Sequence, residues 1–320
     1  MQIFVDPALL FFVFGVFAGA IRSNLEIPRS IAKFLSLYLL MALGLKGGFA
    51  LADSGLNIEI AISLAIAIAM SFIVPALGYR WLRSRCAPFD AAAVAASFGS
   101  VSAVTFVTAM QYLDQQGIGA NGYMAIALVI MESPAIIMAV LLANLLRQSA
   151  GQSTQGPSIK SVLHESFTDG AHLLLIAAMV IGFVTGESGE AVMQPFSGDL
   201  FKGMLAFFLL DMGLLVAKNF AAARQNSAPL ILYASVSPVV HASIALLLCG
   251  LLNVSLSDTV MLMVLAASAS YIVVPAVLRE AIPEANPSIY FGLSIGLTFP
   301  LNIVIGIPLY TLMAQWWLGS

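Results

Sequence analysis

Two short stretches of small and polar residues interrupt long apolar segments of this chain. Residues 97–103 read SFGSVSA, and residues 266–271 read AASASY. If a helix breaks at such a stretch, the first N–H groups of its second half have no helical partner, and that N-terminus carries about half a positive charge. Small side chains would let an anion reach these N–H groups, and serine hydroxyls would add donors. The candidate anion-binding residues are Gly99, Ser100, Val101, Ser102, Ser268, Ala269 and Ser270.

The same residue types have a second explanation. Small residues let two transmembrane helices pack closely, and for a single stretch this explanation would be preferred. Two stretches 168 positions apart favour binding, because helices broken near the membrane midplane form the sites of many transporters. Neither stretch contains Arg or Lys, so neither offers a bidentate fork for a carboxylate or phosphate group. Two helix N-termini sum to about one positive charge, which predicts a small, singly charged anion.

A carboxylate lies in the middle of another apolar segment, VIMESPAII. Burying Glu132 there without a partner would cost roughly 2.5–3.5 kcal/mol or more, and Pro134 interrupts the helical hydrogen bonds beside it. We predict that Glu132 binds a cation. The alternatives are a proton carrier and a protonated structural glutamate bonded to a neighbouring carbonyl.

Hard oxygen ligands suit Na⁺ better than a transition metal. Thr298 and Asn302 flank Pro300 in the last apolar segment and offer further oxygens of this kind. The candidate Na⁺ ligands are Glu132, Ser102, Ser270, Thr298 and Asn302.

The composition places nearly the whole chain in a membrane. Of 320 residues, 60% are hydrophobic and 9% are charged, whereas a soluble domain carries about 25% charged residues. The net charge of −3 and the lack of a basic cluster exclude nucleic acid as a partner. The sequence has no zinc-protease motif, nucleophile elbow or phosphate-binding loop, so nothing in it supports an enzyme.

Proline, glycine and charged residues divide the chain into ten apolar segments, each about long enough for one membrane span. The predicted segments are 7–22, 29–52, 57–81, 89–113, 122–147, 167–186, 199–219, 228–252, 257–279 and 287–315. Ser, Gln and Gly dominate the longest polar stretch, RQSAGQSTQGPSIKSVLHES, which is typical of a flexible linker. We therefore expect a five-helix repeat in 1–147, a linker in 148–166 and a second five-helix repeat in 167–320.

Basic residues follow every second predicted segment. They are Arg22, Arg29 and Lys33; Arg80, Arg83 and Arg85; Arg147 and Lys160; Lys218 and Arg224; and Arg279. Cytoplasmic connections of membrane proteins carry the excess of Lys and Arg. We therefore expect the linker to be cytoplasmic and both termini to lie outside.

Five segments per half would place the second half upside down relative to the first, which is an inverted repeat. Residues in three pairs of segments match at offsets of 167–169 positions. The matches are Gly15 and Gly19 with Gly182 and Gly186, Gly44 with Gly213, and Asp90, Ser100 and Ser102 with Asp258, Ser268 and Ser270. We predict an all-α membrane protein of ten helices in which segments 4 and 9 are broken and cross. Segments 3–5 and 8–10 would form a core domain, and the other four a gate domain.

The longest distinctive run, AASASYIVVPAVLREAIPEANPSIYFGLSIGLTFPLNIVIGIPLY, covers residues 266–310. SFGSVSAVTFVTA at 97–109, MESPAI at 131–136 and GLKGGFAL at 44–51 accompany it. These runs resemble spans nine and ten, four, five and two of the sodium-dependent bicarbonate transporters of the SbtA type. The resemblance covers all ten segments and is most specific in 266–310.

The resemblance implies ten spans in a 5+5 inverted repeat, core and gate domains, and a homotrimer in a bacterial inner (plasma) membrane. It also implies Na⁺-coupled uptake of bicarbonate, with the anion near the crossing of the broken helices. A PII-like regulator binds cyanobacterial members on the cytoplasmic side, and the linker at 148–165 is shorter here than in those members. Tyr271 stands where some members carry Asp, which changes the polarity of the site.

The sequence therefore predicts a secondary active transporter, embedded in membrane lipid, that takes up bicarbonate with Na⁺. Three other functions remain open from the residues alone. The first is transport of another small monoanion coupled to Na⁺ or H⁺, and the second is a passive anion channel. The third is a membrane sensor or scaffold without ion flux.

Overall fold

A computed structural model of the chain describes residues 6–55, 57–149, 164, 170–271 and 273–319. The regular secondary structure of these residues is helical throughout. The predicted linker, 148–166, lies almost entirely outside the described residues, so its interpretation stays a prediction.

Twelve helices follow one another along the described chain. They are α1 (Pro7–Ala20), α2 (Arg29–Ser54), α3 (Ile58–Leu82), α4 (Pro88–Gly99), α5 (Ala103–Gln115), α6 (Met124–Ser149), α7 (Gly170–Met193), α8 (Phe201–Arg224), α9 (Ala228–Leu251), α10 (Leu256–Ala267), α11 (Val273–Ala281) and α12 (Pro287–Leu318). Seven helical stretches of the described residues are long and apolar enough to cross a membrane. The protein is therefore a multi-pass membrane protein.

Several helix boundaries depart from the predicted segments. The sixth segment was expected to end at Gly186, but α7 continues to Met193. Gly186 has a φ of 52°, so the chain kinks in a conformation that favours glycine and then resumes a helix. The fourth and ninth segments each contain two helices, with 100–102 and 268–271 as the described residues between the halves. The last segment is one helix with two π-helical turns, Ser294–Thr298 and Asn302–Gly306.

Glycines let α1 lie directly against α8, and α2 against α7. A Cβ at Gly15 would overlap the backbone of α8, and one at Gly213 would overlap the backbone of α1. The same holds for Gly48 and Gly182, which face each other between α2 and α7. Close backbone approach is the use that membrane helices make of small residues. These four helices form one closely packed group, which we call the first helix unit.

The remaining helices pack around α4 and α10. α3 lies along α4 and α6, and α9 lies along α10. Every residue of α4 from Ala91 to Gly99 is buried, and so is every residue of α10 from Asp258 to Ala267. These two helices are enclosed on all sides, and we call the group around them the second helix unit.

Two aspartates tie this second unit together in matching ways. Asp258, fully buried in the first turn of α10, accepts a hydrogen bond of 2.9 Å from the Asn121 side chain. It also accepts one from the Tyr123 hydroxyl. Asp90, in the first turn of α4, accepts a 2.7 Å hydrogen bond from the backbone N–H of Asn286. Each aspartate thus holds a distant loop, the one before α6 in the case of Asp258 and the one before α12 in the case of Asp90.

An ion pair joins the end of α6 to the loop after α11. The Arg147 guanidinium donates to both carboxylate oxygens of Glu284, at 2.7 and 2.8 Å. It also donates to the carbonyl of Ala281 at 3.0 Å, which satisfies an acceptor at the end of α11. The hydrogen bonds from Arg147 hold the pKa of the Glu284 carboxyl below its usual value.

Candidate functional site

The two segments between helix halves meet in the middle of the second helix unit. The backbone N–H of Ser102 donates to the Ser268 hydroxyl at 3.0 Å. The backbone N–H of Ser270 donates to the carbonyl of Ser97 at 2.8 Å. Residues about 170 positions apart in sequence are therefore hydrogen-bonded partners. All seven residues predicted to bind the anion are buried at this meeting point.

Ser102 and Ser270 cap the helices that begin there. The Ser102 hydroxyl accepts from the Thr105 N–H at 3.2 Å and from the Thr105 hydroxyl at 3.0 Å. The Ser270 hydroxyl accepts from the Val274 N–H at 3.3 Å. A capping serine satisfies one of the N–H groups that lack helical partners and fixes the helix start. The two serines therefore have equivalent structural roles, one at α5 and one at α11.

Four helix ends lie close together at this point. The N-termini of α5 and α11 carry partial positive charge, and the C-termini of α4 and α10 carry partial negative charge. The sequence-based estimate of charge at this point considered only the two N-termini. With both pairs present, the meeting point offers one region suited to an anion and another suited to a cation.

A cavity of about 80 Å³ adjoins the meeting point and separates the two helix units. Its wall on the side of the second unit includes Val101, Ser102, Ser270, Tyr271 and Glu132. The opposite wall comes from α2, α7 and α8. Room for one water needs about 10–15 Å³, so this space holds a small ion or a few waters.

Glu132 is the one carboxylate among the described residues that line this cavity, and it is 5% exposed. Pro134, two positions later in α6, has no N–H to donate, which removes a helical hydrogen bond beside Glu132. Glu132 therefore lines the same cavity as Ser102 and Ser270.

Thr298 and Asn302 lie elsewhere. The Thr298 hydroxyl donates to the carbonyl of Ala234 at 2.8 Å. The Asn302 amide donates to the carbonyl of Ala267 at 2.8 Å and accepts from the Tyr310 hydroxyl at 2.8 Å. Neither residue is part of the cavity wall. Asn302 instead supports the C-terminus of α10 from behind.

Gly99 and Ser100 support the meeting point without lining the cavity. A Cβ added at Gly99 would lie 2.6 Å from Cδ of Pro75 in α3, so the close packing of α3 on α4 requires glycine. The hydroxyls of Ser97 and Ser100 are buried, and neither has a hydrogen-bond partner within the described residues. Buried hydroxyls are usually bonded, so these two are available donors for a ligand.

Sequence reasoning missed Ser97 and left Tyr271 out of the candidate ligands. Tyr271 forms part of the cavity wall, and the Ser102 hydroxyl donates to its hydroxyl at 3.4 Å. Its ring also packs on Phe299 at a centroid distance of 5.3 Å. Ser97 belongs to the SFGSVSA stretch, but its repeat counterpart, Leu265, is apolar. The repeat comparison therefore gave no signal for Ser97, whereas the family resemblance already indicated position 271 as part of the site.

The chain was also compared with known proteins. The model of one family, described as the Na⁺-dependent bicarbonate transporter superfamily, matches residues 7–315. The matched region includes both segments that meet, Glu132 and nearly all of α12. A comparison with curated proteins found no match.

Proposed function

Because the chain belongs to the Na⁺-dependent bicarbonate transporter superfamily, we propose that it takes up bicarbonate together with Na⁺ as a secondary active transporter. Membership of this superfamily makes the protein a transporter and not an enzyme. The observation that carries the proposal is the cavity between the helix units, where Glu132 lies beside two serine-capped helix starts.

Bicarbonate would bind at the N-termini of α5 and α11. Their partial positive charges sum to about one, which matches a monoanion. The hydroxyls of Ser97 and Ser100 are buried donors near the start of α5, and the backbone at 99–102 and 268–270 carries no bulky side chain except Val101. These features support the seven anion-binding residues that the sequence suggests, with Ser97 and Tyr271 added to them.

Na⁺ would bind near Glu132, with the Ser270 hydroxyl oxygen as a further ligand. The Ser102 oxygen would join them when the Thr105 hydroxyl, which donates to it at 3.0 Å, turns away and frees a lone pair. The C-termini of α4 and α10 add partial negative charge at the meeting point. Thr298 and Asn302 are less suited to this role, because their side chains serve other hydrogen bonds outside the cavity. The Glu132 carboxylate would balance the charge of Na⁺, and the two helix N-termini would balance the charge of the anion. The loaded site would therefore be close to neutral.

We further propose ten spans in a 5+5 inverted repeat, with segments 4 and 9 broken and crossing. The packing supports this arrangement, because contacts come in matched pairs under the offset of about 168 positions. The contact of α1 with α8 corresponds to that of α7 with α2. In the same way, the contact of α3 with α4 corresponds to that of α9 with α10. The second helix unit would be the core and the first the gate, and alternating access would move one against the other.

The setting of the protein follows from the family and from the charge distribution of the sequence. We propose a bacterial inner membrane, a cytoplasmic linker, both termini outside, and a homotrimer. A PII-like regulator on the cytoplasmic side is implied by the resemblance alone, and the short linker at 148–165 argues against it. Membrane lipid would surround the spans.

The proposal is tested by uptake of labelled bicarbonate into proteoliposomes that contain the purified protein. We expect accumulation above equilibrium when Na⁺ is high outside, and none when the Na⁺ gradient is absent. Bicarbonate flux that only runs down its own gradient and does not depend on Na⁺ would identify a channel. Flux of other monoanions but not of bicarbonate would identify a different substrate. No flux with folded protein would identify a sensor or scaffold.

Labelling of introduced cysteines tests the proposed topology separately. A cysteine at Ser153 in the linker should react only with reagent applied from the cytoplasm. Cysteines at Asn121 or Ser320 should react only with reagent applied from outside. The opposite pattern would contradict an inverted repeat with a cytoplasmic linker.

A further inference from the structure

A second and larger cavity opens between α3 and α9, away from the site described above. It has a volume of about 690 Å³. Its walls are residues 77–85, at the end of α3 and in the turn after it, and residues 232–241 of α9. We call this cavity the α3/α9 groove. None of the residues that line it lines the cavity between the helix units.

Three arginines form the rim of the α3/α9 groove. Arg80, Arg83 and Arg85 are all exposed, and within the described ranges no carboxylate forms an ion pair with any of them. The Arg85 guanidinium lies 4.0 Å from the centroid of the Trp81 ring. Trp81 in turn stacks on Tyr233 of α9, with centroids 5.5 Å apart. The rim therefore presents three positive charges that no acidic side chain among the described residues neutralises. The stacked rings of Trp81 and Tyr233 lie next to these charges.

The deeper walls of the groove are apolar and face outward. Leu77, Leu232, Val236 and Val240 have exposed fractions between 45% and 55%. A helix rises about 12 Å from residue 232 to residue 240, which is comparable to one leaflet of a hydrocarbon core about 30 Å thick. The length and the polarity of the groove thus match an acyl chain that runs from the membrane surface towards the midplane.

We propose that the α3/α9 groove binds an anionic phospholipid from the leaflet on the side of the arginine rim. The lipid phosphate lies between the Arg80 and Arg83 guanidinium groups, which suit planar, bidentate contact with phosphate oxygens. One acyl chain lies along Val236 and Val240. Basic pockets between membrane helices attract anionic headgroups in this way. A soluble anion would satisfy the rim alone and leave the apolar walls uncovered, so the groove fits a lipid better.

The groove also contacts the helix that carries the transport site. Tyr233 in the floor of the groove packs on Phe98 of α4, with ring centroids 5.1 Å apart. Phe98 immediately precedes Gly99, where α4 ends. A lipid in the groove would contact both α3 and α9 near this Tyr233–Phe98 contact. Because the groove exists only in the folded protein, the lipid would bind the folded state alone. We therefore expect anionic lipid to raise the melting temperature in proportion to the logarithm of its concentration.

The test is lipid retention by the purified protein in detergent, measured by native mass spectrometry with added phosphatidylglycerol or phosphatidylcholine. The double variant Arg80→Gln/Arg83→Gln should lower the affinity for phosphatidylglycerol about 30-fold, since each arginine near a membrane surface contributes about fivefold. Retention of phosphatidylcholine should not change. Neither arginine side chain forms a hydrogen bond or ion pair within the described residues, so the variant should fold.

Two further variants separate a lipid site from nonspecific charge attraction. Arg29→Gln/Lys33→Gln makes the same charge change at exposed positions of α2, and it should leave phosphatidylglycerol retention unchanged. Val236→Trp fills the groove without altering charge and should remove retention. Equal loss in the α2 variant, or full retention in Val236→Trp, would overturn the proposal. Displacement of the lipid by millimolar inorganic phosphate would overturn it too, because the rim would then be a site for a soluble anion.

Discussion

Replacing Glu132 with Gln tests whether the cavity carboxylate binds the coupling ion. The variant keeps the size of the side chain and one of its oxygens but removes the charge. In a cavity of about 80 Å³, a centrally bound cation lies about 5 Å from a lining carboxylate, where two unit charges attract by about 3 kcal/mol at an effective dielectric of about 20. Tenfold in affinity corresponds to about 1.4 kcal/mol, so the loss is on the order of a hundredfold.

The assay is bicarbonate uptake into proteoliposomes as a function of external Na⁺. We expect the Na⁺ concentration for half-maximal uptake to rise by about the factor that the lost attraction predicts, tenfold to a few hundredfold. Maximal uptake should recover at high Na⁺, because the anion side of the site is unchanged. Asp211→Asn is the matched control, since Asp211 lies in α8 but does not line the cavity.

Three results would refute this reasoning. Unchanged Na⁺ dependence in Glu132→Gln would make Glu132 structural and move the cation site to other oxygens. Wild-type uptake that ignores Na⁺ but depends steeply on external pH would make Glu132 a proton carrier, and the Gln variant would then show no driven transport at any Na⁺ concentration. An equal change in Asp211→Asn would show that loss of an acid elsewhere in the helices has the same effect.

Three other predictions follow from particular contacts. Ser102→Leu should abolish uptake in folded protein by filling the small cavity, and uptake at the wild-type rate would assign the small residues to packing alone. Gly48→Val should cost about 1–3 kcal/mol of stability, seen as a lower melting temperature, whereas Gly203→Val should not, because no atom lies within 4 Å of a Cβ there. Pairing with Arg147 lowers the pKa of Glu284, so the ion pair stabilises the fold fully above about pH 4.5, and this stabilisation is lost as the pH falls further. The melting temperature of Glu284→Gln should therefore fall less at acid pH than that of the wild type.

The helical membrane class and the family were predictable from the sequence. Both depend on local signals: continuous apolar segments, and runs such as 266–310 that need no knowledge of contacts. A break within 97–103 was predicted from the small residues there, but the end of α4 at Gly99 did not follow, because such residues also suit an unbroken, closely packed helix. The kink at Gly186 did not follow, because a glycine at the end of an apolar run predicts a helix end as readily as a bend.

The partners of the site residues were not predictable, because they are distant in sequence. Nothing at Asn302 indicates that its amide faces Ala267 and not Glu132. Its grouping with Thr298 as a cation ligand depended on residue type and on the neighbouring proline. Likewise, the matching of Asp90 with Asp258 suggested a repeat, but only the structure reveals that each holds the loop before another helix.

The small volume of the cavity between the helix units has a consequence for ion selection. At about 80 Å³ it has no room for two ions with their hydration shells. If the proposed ion pair binds there, it would leave most of its water behind, and the serine hydroxyls, the helix ends and Glu132 would replace that water. Discrimination between anions of similar charge would then depend on the cost of dehydrating each one as much as on its shape.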